Sequence, residues 1–251
     1  MSIWRRRIRL VSLVVVGLLP NAIKKPLYRL LFRYRIGPDV RIGWSLLDAQ
    51  RVELGAGTRI GHFNVITRVG DLKTGRQVRV GSFNIIRGGD CVDLGDFATI
   101  MRLNVLNAIP DHDCTTNPTS ILLLGEGAVV VSEHRIDFTD KVKIGRQVII
   151  GGRNSSLWTH TRQTTAPITI GDFCYLASEV RLAPGAVLPP ECILALGSVL
   201  AGQVEILRSL VGGVPAKVIR PLNEDDLALI HRKTRADLPD SLVVNSLGIP
   251  S

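Results

Sequence analysis

Residues 170–206 read IGDFCYLASEVRLAPGAVLPPECILALGSVLAGQVEI, and every sixth residue is aliphatic: Ile170, Leu176, Leu182, Leu188, Leu194, Leu200 and Ile206. The residue after each is small or proline until the last: Gly171, Ala177, Ala183, Pro189, Ala195 and Ala201. The fifth residue of each hexad is small as well: Cys174, Val180, Ala186, Cys192, Ser198 and Val204. Three columns keeping one step describe a short strand plus a corner, repeated. Three such hexads make one triangular coil. The aliphatic residue points into a narrow interior, and the fifth position points inward near a corner where only a small side chain fits. Successive coils then stack by parallel strand pairing. The expected architecture is an all-β parallel β-helix.

The same frame extends toward the start. Ile60, Ile66, Leu72 and Val78 keep the six-step, then Val80, Ile86 and Val92, then Leu94, Ile100 and Leu106. The two-residue shifts between these runs create a 20-residue period: IGHFNVI at Ile60, VGSFNII at Val80 and IMRLNVL at Ile100. That period stacks Asn64, Asn84 and Asn104, which predicts an asparagine ladder with structural amide bonds along the axis. Residues 107–122 break the frame and read as a loop leaving a corner. Its string Asp111, His112, Asp113, Cys114 does not suit a metal, because adjacent residues on an extended loop cannot all face one ion. A loop reaching a substrate is the better expectation. The frame resumes at Leu124 and runs through Val130, Ile136, Val142, Ile144 and Ile150. The next hexad is placed at Ser156, in SLWTHT, followed by a second loop, TRQTTAP.

Scarce aromatics at 5% and 24 glycines among 251 residues fit a core of small aliphatics with many tight corners. The net charge of +9 is uneven. Residues 1–38 hold nine Lys or Arg and no acid, and the remainder is balanced. A nucleic-acid binder would carry its bases on a folded face. Bases beside apolar segments instead suggest an anionic membrane surface. The apolar run Leu10–Leu19 is too short to span a bilayer, which takes about 20 residues. A signal peptide is the rival reading, but no small-x-small cleavage site follows. A terminal helix packed on a neighbouring subunit is the plainer alternative. The expected layout is therefore a basic amphipathic, membrane-associating helical N-terminus over 1–38, the β-helix over 39–221, and a helix and tail over 222–251. In NEDDLALIHRKTRA, Asn223 is the N-cap, acids fill the first turn and bases the last. Cys91, Cys114, Cys174 and Cys192 form no CxxC pair, so they read as reduced structural thiols in a cytoplasmic protein.

The stretch from Ile144 to Leu222 resembles the hexapeptide-repeat acyltransferases that use acetyl-CoA. It carries IGRQVIIGGRNSSLWTHT, a loop, PITIGD, the regular hexads, and the closing VGGVPAKVIRPL. The start, LLPNAIKKPLYRLLFRYRIGPDVRIG, is similar to the lead-in of members that modify bacterial surface-polysaccharide precursors. The resemblance implies left-handed winding, a departure from the right-handed crossover rule. It implies acetyl transfer from acetyl-CoA, as co-substrate, to a hydroxyl of a saccharide: a surface polysaccharide, O-antigen or lipid-linked precursor. By position His160 matches the general base, and the N–H of Ser178 matches the oxyanion donor. Tyr175, Ala177, Gly197, Lys217 and Arg220 fall at coenzyme-contacting positions. Where relatives often carry Thr-Lys, this chain has Ala201 and Gly202, which removes a phosphate contact. The implied assembly is a homotrimer with the coenzyme between subunits, at the inner face of the cell membrane, with no metal.

His134 has two readings: a ladder member in the asparagine frame, 20 residues before Asn154, or a second polar group near the acceptor sugar. Two other function classes stay open. A zinc carbonic-anhydrase-like β-helix needs three gathered histidines, and only His134 and His160 offer themselves. A non-catalytic scaffold would need the hexads but neither the TH-loop nor the closing element.

Overall fold

A computed structural model describes residues 3–109, 119–231 and 233. The string 111–114 and the tail beyond 233 lie outside the described residues. The chain forms a left-handed parallel β-helix of about eight coils. Each coil contributes a strand to each of three faces. The first face begins with Arg35–Ile36 and the second with Arg41–Ile42. The third begins with the first half of the long strand Leu46–Leu54, which bends round the corner into the first face of the next coil. Pairing between coils is parallel throughout. The only antiparallel pair among the described strands is the closing hairpin, Ser209–Gly213 with Ala216–Pro221, on the second face.

The aliphatic columns form the interior. From Ile60 through Leu200 every column residue named above is buried, apart from Ser156's displacement described below. Burying such a side chain contributes about 1.5–3 kcal/mol each, so repetition, not any single contact, holds the prism. Corner positions are small because coils nearly touch: a Cβ on Gly61 would run into the Gly81 backbone carbonyl. Cys174 and Cys192 are buried and free; Cys91 is free and half-buried. Burial pushes the Cys174 thiol up to about 12.

Two expectations need correction. Ile206 is 59% exposed, so the six-step ends at Leu200 and the chain turns out toward the hairpin. The second correction concerns Ser156. Leu157, not Ser156, fills the interior between Ile136 and Leu182. One extra residue is absorbed in the corner after Ile150, where Gly152 adopts φ +60° and Asn154 φ +61°.

Two helices, α1 (Ile3–Leu18) and α2 (Asn21–Phe32), pack on the first coils. Lys24 is buried, and its Nζ donates to the carbonyls of Ile42 and Gly43 at 3.1 and 2.8 Å. Asn21 Oδ1 accepts from Ile42 N–H at 2.9 Å. Arg9 donates to Asp48 and to the Ala49 carbonyl, and Arg29 to the Ile36 carbonyl. The helices thus occupy backbone groups that a preceding coil would otherwise pair, which protects an open sheet edge. At the other end α3 (Glu224–Ile230) begins with a capping box between Asn223 and Asp226. It stops before the bases expected in its last turn. His231 instead lies on Phe173, with ring centroids 4.7 Å apart, and its Nε2 is 2.7 Å from Glu191 Oε1.

Candidate active site

Two corners of the prism carry the candidate residues. At the corner from the third face to the first, the strand Ser156–Trp158 runs into the loop 159–167. The loop closes on itself: Thr161 N–H donates to the Thr164 carbonyl at 2.8 Å, and Ala166 N–H to the Thr159 carbonyl at 2.9 Å. His160 pairs with Thr165 across its base. The imidazole is half-buried, and its Nε2 is buried without a hydrogen-bond partner among the described residues.

Beneath it lies a polar cluster that the sequence reading missed. Asp137 is register-paired between Asn107 and Trp158 and is buried. Its Oδ1 accepts from Thr139 N–H at 2.8 Å. The Thr159 hydroxyl lies 3.1 Å from the Asp137 carbonyl oxygen and 3.4 Å from Oδ1. Asp137 Oδ2 is buried with no partner among the described residues. Thr139 in turn accepts from Ile109 N–H at 2.9 Å, and Ser120 Oγ donates to its carbonyl at 2.8 Å. The interrupted segment 107–122 and the His160 loop therefore leave one corner, two coils apart. Counting register from Asn107 through Asp137 to Trp158 could have shown this from sequence.

The corner from the second face to the third carries the remaining candidates. Ser178 and Gly197 stack there, with Gly197 N–H donating to the Ser178 carbonyl at 3.1 Å. Gly197 has φ +68° and open space where a side chain would begin. Gly152, one coil back, abuts Ser178; a Cβ there would overlap the Ser178 hydroxyl. Ala177 N–H pairs with the Leu194 carbonyl at 2.9 Å. Tyr175 is half-buried on the second face between Ile149 and Ile193. Lys217 and Arg220 lie on the last strand of that face; Lys217 is exposed. Arg220 is tied to the Asp226 carboxylate, which that guanidinium holds below the usual carboxylate range.

His134 is fully buried inside this second corner. Its N–H donates to Asn104 Oδ1 at 2.9 Å, and its Nδ1 accepts from Ser155 N–H at 3.1 Å. Those bonds build the ladder member. Burial lowers its pKa to about 4, against smaller opposing effects of the Ile150 carbonyl and Glu133. The ladder runs Ser45, Asn64, Asn84, Asn104, His134, Ser155. Its two serine ends were not foreseen, and Asn154 gives its place to Ser155 because of the extra corner residue.

Within one chain, Ser178 and His160 stand at opposite edges of the third face. Among the described residues no three His, Cys, Asp or Glu side chains gather to hold a metal. No family model matches the sequence, and no curated protein matches it. Among solved structures, the chain is similar to a UDP-N-acetylglucosamine acyltransferase from Campylobacter jejuni, with a TM-score of 0.60 at 18% identity, covering 79% of this chain and 78% of that one. It is also similar to the Arabidopsis UDP-N-acetylglucosamine acyltransferase, with a TM-score of 0.52 at 15% identity, covering 79% and 73%. The fold is that of the hexapeptide-repeat acyltransferases. At such identities the shared property is the β-helix. The β-helix here carries a corner broken by loops at coils four to six and, beside it, a corner interrupted only by the extra residue after Ile150.

Proposed function

We propose that the protein transfers an acetyl group from acetyl-CoA to a hydroxyl of a saccharide. The observation that carries this reading is His160. On an acyltransferase fold, a half-buried imidazole sits at the mouth of a loop with a nitrogen that nothing in the described chain engages. A sugar hydroxyl is a poor nucleophile at neutral pH. His160 takes its proton as the oxygen attacks the thioester carbonyl. The tetrahedral oxyanion is held by the Ser178 N–H. Collapse breaks the carbon–sulfur bond, and the imidazolium returns the proton to the departing thiolate. No acyl-enzyme is needed.

Because His160 and Ser178 occupy different corners, the reading requires His160 of one subunit to face Ser178 of the next, as in a homotrimer. An exposed apolar column supports this. Trp44, Phe63, Phe83 and Leu103 line the outside of the Ser178 corner, with Phe63 and Phe83 stacked at 5.1 Å. Tyr175, Ala177 and Gly197 would line the pantetheine path, and Lys217 with Arg220 would meet the phosphates. The similarity to two UDP-N-acetylglucosamine acyltransferases favours a sugar nucleotide as acceptor class.

Calorimetric titration of acetyl-CoA into the full-length protein tests the donor site. The expected result is saturable binding near one per chain, weakened in Lys217→Ala/Arg220→Ala. The single Lys217→Ala separates a lost phosphate contact from disturbance of the Arg220–Asp226 pair. No binding by folded protein would overturn the transferase reading in favour of a scaffold.

A further inference from the structure

Helix α1 has two apolar faces, and the fold uses only one. Leu13 and Val16 are buried against the first coils, and Gly17 lets the helix approach until a Cβ would press on the Ser45 carbonyl at 2.8 Å. Arg9 shares that face and is bound to Asp48. The opposite face carries Trp4, Ile8, Val11, Val15 and Leu18. Their spacing is i, i+4, i+7, i+11, i+14, one continuous stripe of a helix. All five are between 55% and 76% exposed. A face this regular and this exposed, on a helix already anchored by its other side, is built to meet something apolar.

We infer that this stripe docks on an anionic lipid surface, with α1 lying in the plane of the interface. Charge selects the occupant. Residues 1–38 contain no Asp or Glu, and Arg6, Arg7 and Arg33 are exposed. A second copy presenting the same patch would oppose like charges, whereas anionic headgroups complement them. Trp4 stands near the helix start, where an amphipathic ring suits the headgroup level. Length selects the orientation. Sixteen residues reach about 24 Å, less than a hydrocarbon core of about 30 Å. No described helix is long and apolar enough to cross a membrane. The internal contacts of Arg9, Lys24 and Arg29 then fix the prism relative to the bilayer, rather than tethering it loosely. This inference is independent of the transferase reading, since the stripe lies on the first coils and the candidate site on the last ones.

The test is co-sedimentation of the full-length protein with vesicles of phosphatidylglycerol and phosphatidylcholine, or of phosphatidylcholine alone. Sedimentation velocity without lipid and acetyl-CoA titration run alongside. Both Val11 and Val15 are exposed, so Val11→Asp/Val15→Asp leaves the packed face intact. Wild type is expected to bind the anionic vesicles, more weakly as salt rises. The variant should lose at least about tenfold in partitioning, with its oligomeric state and acetyl-CoA binding unchanged. Arg6→Glu/Arg7→Glu should flatten the salt dependence. Failure of wild type to bind anionic vesicles would overturn the inference. So would equal binding by Val11→Asp/Val15→Asp, or a change in oligomeric state with vesicle binding intact, which would assign the stripe to contact between copies.

Discussion

The corner that holds Asn64, Asn84 and Asn104 and the corner that holds His160 are built from the same six-residue step, yet they treat polar groups in opposite ways. In the first, each amide oxygen accepts from the backbone of the next coil, and each amide nitrogen donates along the axis. In the second, two loops leave the frame, and Asp137 Oδ2 and His160 Nε2 are buried without partners among the described residues. An unpaired buried polar group costs about 1–3 kcal/mol. The ladder corner satisfies its asparagine amides and leaves only His134 Nε2 without a partner among the described residues, so the repeat has the means to do the same at the other corner. If the proposed function holds, the His160 corner is where stability is given up for chemistry.

The hardest test of that contrast exchanges the readouts. His160→Ala should reduce acetyl transfer by about 10²–10⁴-fold, the usual span for a general base, and leave the melting temperature unchanged. Undiminished turnover in this variant would show that the corner's unpaired groups have no catalytic use. The ladder should behave conversely. Asn84 makes two bonds through its oxygen and two through its nitrogen, to Asn64, Asn104 and the Met101 carbonyl. Asn84→Ala should cost about 2–4 kcal/mol of stability through the orphaned groups, measured by denaturant unfolding. Turnover per folded molecule should be retained. Loss of turnover without loss of stability would move the ladder corner into the chemistry.

The same contrast explains what could be read in the sequence. Interior positions such as Ile100 or Leu182 face one steric demand, repeated every coil, so periodicity exposes them. The ladder was legible for the same reason. Corners tolerate insertions because their outer side is open, and there the six-step failed: the extra residue near Gly152 moved Leu157 and Ser155 into places read for Ser156 and Asn154. Asp137 belongs to no column, so no period announces it. Charge counting found the basic N-terminus. It could not tell Arg9, Lys24 and Arg29, which bind backbone carbonyls, from Arg6 and Arg7, which stay exposed. His160 and Ser178 came from a resemblance. Their separation across the third face is a property of the winding that no motif states.

His134 is where the ladder departs from its own rule, and it offers the finest test. Its Nδ1 replaces an amide oxygen as acceptor for the next coil, while its Nε2 is buried without a well-formed hydrogen bond among the described residues, the Ile150 carbonyl exerting only a weak pull on the ring. Burial disfavours the charged ring, holding its pKa near 4 against an ordinary value of 6.5. The unfolded chain therefore binds a proton that the folded chain refuses. Stability from this residue is complete above about pH 6.5, and it falls as pH drops through the window toward about 4. The loss over that window is at most about 3 kcal/mol. His134→Asn keeps an acceptor at the same position, as at Asn104, and carries no titrating group. Its unfolding free energy should lack this decline between pH 7 and pH 4.5, while wild type shows it. Parallel curves would mean that the ring protonates in place, and that the ladder corner is open enough to hydrate a charge.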